Sequence, residues 1–393
     1  MKHIALLLAL TLSTAALAQD VDPRVRETIK QLEALLEKQP DNQPYTYLLA
    51  TYYDKAKNTE GVVRTLKRLL ALEWEHGLAN DQFVNAKPDV EFRRTALSLH
   101  AREPKRNQAK TAFKIAGRRD LVPEGITYDP VEDVFYVSGI HRRNVLRVKR
   151  DGTATDFVKE AQDGMLGGLG LKIDPKKRVL WVISSTTPEM RGWKEGENAS
   201  MLAAYDLKTG KLVKKIEATP AILNDLTILD DGTIFATDMG RHNVVRLAPG
   251  ADKLEVFASE FVFPNGITHL DGSLYVADFR GISKLDVTDA KKRTPIESKS
   301  LLNGIDGLAV HEGKLIGIQN AIGRPRVVRV DPATGVTENL ESRNARFELP
   351  TTGVVVGDEF WFIANPGLRS FNADRTIWPM EKLEDPVMLR LAL

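Results

Sequence analysis

Apolar positions follow two different periods along the chain. From residue 23 to about 100 they recur at helical spacing. Val25, Ile29, Leu32, Leu35 and Leu36 mark a first helix, which Gln39-Pro40 ends. Tyr45, Leu48, Leu49, Tyr52 and Tyr53 mark a second, and Val62, Val63, Leu66, Leu69 and Leu70 a third. From residue 111 onward the pattern becomes short alternating or wholly apolar runs between Gly, Asp, Asn and Pro turns, which predicts strands.

Within the second regime one outline repeats six times: a small or polar pair, an apolar strand, a turn, then a strand of aromatic and β-branched residues. The repeats begin at Glu124-Gly125, Leu169-Gly170, Asn224-Asp225, Asn265-Gly266, Asp306-Gly307 and Thr352-Gly353. Successive starts lie 45, 55, 41, 41 and 46 residues apart, the length of a four-stranded propeller blade. The expected fold class is therefore mainly β, a six-bladed β-propeller over residues 109–393 preceded by a small α-helical segment and linker over 19–108. The sixth repeat lacks nearby third and fourth strands. Pro386-Val-Met-Leu-Arg-Leu391 has the third-strand pattern and residues 111–117 the fourth, so the two ends of the domain are expected to pair and close the ring.

Composition narrows the setting. Lys2, the apolar run Ile4 to Leu12 and Ala16-Leu17-Ala18 read as a secretory leader over residues 1–18, which predicts a periplasmic or secreted protein. No later segment is long and apolar enough to span a membrane. With 0 Cys there is neither a disulfide nor a zinc-thiolate site, so stability must come from core burial. A balance of 55 basic against 53 acidic residues gives no electrostatic reason to expect nucleic acid. The basic stretch from Arg102 to Lys110 sits between the two regimes and reads as a solvated linker. In the helical region, Asn42 to Gly77 resembles a single tetratricopeptide repeat, too short to close a solenoid; it is either a packing cap or a groove for a protein partner.

The candidate chemistry lies where the six repeats begin. Inner strands of a propeller line its channel, so equivalent residues form a ring: Glu124, Leu169, Asn224, Asn265, Asp306 and Thr352. Two carboxylates and two amides, Glu124, Asn224, Asn265 and Asp306, make a hard-oxygen set suited to a divalent cation. Ca2+ is the expected ion, with Mg2+, Mn2+ or Zn2+ as alternatives; the ring holds no imidazole, which speaks against a zinc-preferring site. The bland alternative is that Asn and Asp merely start strands and cap turns.

The Glu-Gly, Asn-Asp, Pro-Asn-Gly and Asp-Gly anchors, in this order, resemble the senescence-marker-protein/gluconolactonase/luciferin-regenerating-enzyme family and are similar to those of the paraoxonases. The resemblance covers the propeller and implies a divalent metal held by Glu124, Asn224, Asn265 and Asp306, lactonase or esterase activity on a small molecule, and Asp306 as general base. Two positions depart from it. Gluconolactonase-like members carry an Arg where this chain has Ile222, and paraoxonases a His where it has Leu169. Leu169, Ile222, Asp238, Asp278 and Thr352 are the candidate pocket residues. Ser138, His141, Ser184, His242, Gln319, Asn320 and Asn365 are further polar loop ends on the same face. Two functions follow: a metal-dependent hydrolase of lactones or related esters, or a non-catalytic propeller that binds a ligand or protein around a structural metal.

Overall fold

A computed structural model describes residues 21–79 and 82–393; the expected leader, 1–18, lies outside the described residues. The chain divides into two compact units between Glu103 and Pro104. The first holds α1 (Pro23–Lys38), α2 (Gln43–Lys55), α3 (Thr59–Ala71) and α4 (Val90–Arg102). Each starts on a side-chain cap: Asp22, Asn42, Asn58 and Asp89 accept from main-chain N–H groups two or three residues on. Helix α4 adds to the three that the periodicity predicts. It buries Phe92, Thr95, Ala96 and Leu99 but exposes Val90 and Leu97, and apolar residues on its outer face blur the stripe. No helix among the described residues is long and apolar enough to cross a membrane.

The second unit is a six-bladed propeller of six four-stranded sheets, each antiparallel. The innermost strands are Pro123–Asp129, Gly167–Asp174, Leu223–Ile228, Ile267–Leu270, Ile305–His311 and Gly353–Val356. The last sheet orders Gly353–Val356, Glu359–Ile363, the C-terminal strand Val387–Ala392 and Lys110–Lys114. Its outer pair runs from Lys110 against Arg390 to Lys114 against Val387, with one register shift between Thr111 and Phe113, so the two ends of the domain close the ring as expected and no seam stays open.

The anchor dipeptides have a structural cause. In blades one, two, three and five the register between the first two strands shifts at the anchor, so Glu124-Gly125, Leu169-Gly170, Asn224-Asp225 and Asp306-Gly307 sit in β-bulges. Glycine follows the anchor because inner strands crowd at the axis. A Cβ on Gly125 would lie 2.4 Å from the Leu169 carbonyl oxygen, and one on Gly266 2.2 Å from that of Asp306.

The basic stretch is only partly a linker. From Pro104 onward it is strapped to the outer edge of blade five. Ser342 N–H donates to the Arg106 carbonyl at 2.7 Å, and the buried Glu341 carboxylate accepts from Gln108 and Ala109 N–H at 2.6 and 2.8 Å. Its basic side chains, Arg102, Lys105, Arg106 and Lys110, are exposed as expected of a solvated segment, while its main chain pairs with the blade, which charge patterning does not report.

Candidate functional site

The ring stands at the end of the channel where each inner strand begins. Because strands alternate in direction, the connections between second and third strands lie at that same end. Two of these are long, residues 186–199 in blade two and 364–386 in blade six.

Glu124, Asn224 and Asp306 are only 5, 7 and 8% exposed, and Asn265 is half-buried. Glu124 Oε2, Asn224 Oδ1 and Asn265 Oδ1 are buried without any hydrogen-bond partner. Leaving three buried oxygens unpaired costs on the order of 1–3 kcal/mol each unless something else satisfies them. The fourth member, Asp306, accepts at Oδ2 from the Asn320 amide, which also donates to the Pro350 carbonyl at 2.9 Å, and it takes a further bond from Asn265.

The electrostatics describe a cluster short of positive charge. Burial pushes the Asp306 carboxyl up to about 7; the bonds from Asn320 and Asn265 oppose this and the charge of Asp225 adds to it. Glu124 is raised well above the ordinary range, by burial first and then by the charges of Asp306 and Asp225, against a smaller pull from Lys172. Asp225 is raised by burial and relieved by Lys172 and by N–H groups of Leu226 and Ile267. Three buried carboxylates thus face one ammonium. A divalent cation matches both that imbalance and the unpaired oxygens, so the residues present fit the ion that the anchors imply. Among the described residues no group of three or more His, Cys, Asp or Glu is arranged to hold a metal; the fit depends on the two amide oxygens.

The remaining ring and pocket candidates have other partners. Thr352 Oγ1 donates to the Glu124 carbonyl at 2.5 Å, fastening blade six to blade one. Leu169 packs in an apolar cluster with Val122, Ile140 and Leu223, and its carbonyl accepts from Ser138 Oγ at 2.6 Å. Asp238 accepts from the N–H groups of Ile222, Gly240 and Arg241 at 3.1–3.2 Å and pairs with the Arg241 guanidinium. Asp278 accepts from Val262 and Arg280 N–H at 3.0 and 2.7 Å. Both aspartates therefore brace the loops at the mouth through several bonds. Ile222 stands half-buried two residues before Asn224.

Sequence reasoning passes over Asp225 and Lys172, whose charges act on the ring. It ranks Asn320 with ordinary loop ends, although Asn320 holds Asp306. The Asp following Asn224, where the other five anchors are followed by Gly, was the available signal for Asp225.

The family model of the SMP-30/Gluconolactonase/LRE-like region matches residues 122–354, more than half of the chain. No curated protein sequence matches the chain. Among solved structures the chain resembles an aldose sugar dehydrogenase of Streptomyces coelicolor with PQQ bound, at 15% identity and a TM-score of 0.51 over 74% of this chain and 99% of that one. It resembles a virginiamycin B lyase of Staphylococcus aureus at 14% and 0.50, over 71% and 98%. A gluconolactonase of Xanthomonas campestris matches at 15% and 0.49, over 69% and 86%. At such identities the likeness establishes the fold alone.

Proposed function

The chain belongs to the SMP-30/gluconolactonase/LRE-like family, and on that premise we propose that it is a divalent-cation-dependent hydrolase of lactones or related esters. The observation that carries this reading is the set of three buried, unpaired oxygens on Glu124, Asn224 and Asn265 beside the Asp306 carboxylate.

Those four residues would hold the cation, with Ca2+ the best match to an all-oxygen donor set. When bound, it supplies positive charge where negative charge develops on a carbonyl oxygen under attack. The chain's own groups do the rest. Asn320 fixes one oxygen of Asp306, so the carboxylate has one orientation from which to accept the proton of an attacking water. Thr351 and Thr352 pin the Glu124 main chain through its carbonyl, which limits movement of that side chain. Leu169 and Ile222 offer no polar partner, which favours an apolar substituent over a sugar acid. The leader expected over residues 1–18 supports a periplasmic or secreted setting for this chemistry.

One observation favours a second reading. Ring side chains this buried also suit a structural cation in a propeller that binds a partner, with the tetratricopeptide-like helices as the contact. Purified protein assayed with aliphatic lactones, sugar lactones and aryl esters, with Ca2+, Mn2+ or Zn2+ and with chelator, separates the two. The hydrolase reading expects chelator-sensitive turnover with alkyl lactones ahead of sugar lactones. Stoichiometric cation binding without turnover of any ester overturns it in favour of the structural cation.

A further inference from the structure

The segment that delivers Asn265 to the ring, residues 259–264, carries two non-glycine residues in the left-handed region, Glu260 at φ +65° and Phe263 at φ +50°. A bulky side chain in that region is a backbone outlier and persists only where its surroundings hold it. Here the hold is explicit. The Asp278 carboxylate accepts from Val262 N–H at 3.0 Å, and Phe279 N–H donates to the Val262 carbonyl at 2.8 Å. Phe263 N–H donates to His242 Nδ1 at 3.3 Å, and the His242 ring meets the Phe263 ring edge-on at 4.9 Å.

The consequence is an aromatic ring turned outward. Phe261, two residues earlier, is 3% exposed under the Arg293 guanidinium, whereas Phe263 is 59% exposed, two residues before Asn265. Core packing does not account for holding an exposed aromatic in a strained conformation at the mouth. On the blade-one side, opposite blade four in a ring of six, the same end also carries apolar side chains beside the ion pairs of Arg142 and Arg191 with Asp120 and Glu160. His141 bonds through Nδ1 to the Glu189 carbonyl and meets Phe371 edge-on at 5.7 Å. Leu368, Phe371 and Ile377 of the long blade-six connection pack on the cluster that contains Leu169.

We propose that Phe263 is a specificity-determining residue that takes the apolar substituent of an alkyl- or aryl-bearing lactone or ester on its exposed face while the carbonyl lies at the ring. This rests on the hydrolase reading and names its substrate class.

The test uses the full chain with Ca2+, the variants Phe263→Gly and Phe263→Leu, and two probes, γ-butyrolactone and γ-undecalactone. Phe263→Gly should keep its Tm or gain about 1–3 °C, since glycine relieves the left-handed strain. Its kcat/KM for γ-undecalactone should fall about 10-fold, mostly through KM, with γ-butyrolactone changed less than about two-fold. Phe263→Leu, which retains part of the apolar surface, should lose about three-fold on the long lactone. Equal losses on both lactones, no loss on either, or a marked drop in Tm for Phe263→Gly would overturn the assignment. If the wild-type protein turns over neither probe and no other ester, the hydrolase reading fails and this assignment fails with it. Wild-type turnover with unchanged selectivity in the variants overturns this assignment alone.

Discussion

The two halves of the ring share a backbone and treat their side chains differently. In blades three, four and five, Asn224, Asn265 and Asp306 all present oxygens; those of Asn224 and Asn265 are buried and unpaired, while Asp306 draws amide donors. In blades six, one and two only Glu124 does so. Beside it Thr352 spends its hydroxyl on a main-chain carbonyl, and Leu169 has none to offer. The fastening between blades is nevertheless the same in both halves. Ser138 accepts from Gly125 N–H and donates to the Leu169 carbonyl; Thr237 accepts from Asp225 N–H and donates to the Asn265 carbonyl. One device holds an apolar wall, the other a residue of the proposed cation site. The fastening is thus a property of the repeat, whereas the oxygens that the ring presents come from one side chain per blade.

The largest expected effect comes from emptying the oxygen-rich half. Asp306→Ala should weaken divalent-cation binding by more than about 100-fold in calorimetry. Without cation the variant should melt no lower than wild type, because a like charge beside Glu124 has gone. Stoichiometric binding retained in Asp306→Ala would remove the ring from the metal site.

Next in size is a pH effect on cation-free protein. Asp306 is raised to about 7 from its usual 3.8, so between these values the native state binds a proton that the unfolded state releases. Stability is therefore greatest at the acidic end of that window and falls as pH rises through it, by on the order of a few kcal/mol. Glu124, raised as well, acts with the same sign. Melts in chelator across pH 4 to 8 read this directly. A flat profile would mean that the carboxylates do not share buried surroundings, whereas saturating cation should flatten the slope near neutrality.

The two fastenings make the sharper comparison. Ser138→Ala and Thr237→Val each strand a buried N–H and a buried carbonyl, and each should cost about 1–3 kcal/mol. Only Thr237→Val should also weaken cation binding, by about 10-fold, because only it frees the main chain of a ligand. Equal effects of the two on cation affinity would erase the distinction between the halves. The smallest effect belongs to Thr352→Val, about 1 kcal/mol or less, because Thr351 Oγ1 donates to the same Glu124 carbonyl at 2.9 Å. A loss as large as that of Ser138→Ala would show that Thr351 does not share the load.

Much of this was legible in the sequence. Strand patterns are local, so alternation around Val134 to Val137 or Lys314 to Ile318 suffices to place a strand. Six such units at blade spacing determined the propeller, the ring residues and the closure of Lys110–Lys114 on Val387–Ala392. Glycine after an anchor was visible, though its cause, close approach to the next blade, was not.

Tertiary structure alone decided which polar groups stay free. Asp238 and Asp278 look in the sequence as available as Asp306, yet both are consumed by loop N–H groups. Thr352 goes to a carbonyl 228 residues away, and Glu341 to amides 232 and 233 residues away. Asp225 and Lys172 join the ring's electrostatics, and Phe263 stands outward at the mouth, for the same reason. Local propensity and period constrain each segment by its own residues, whereas desolvation and hydrogen-bond satisfaction depend on partners that only blade-to-blade packing brings together.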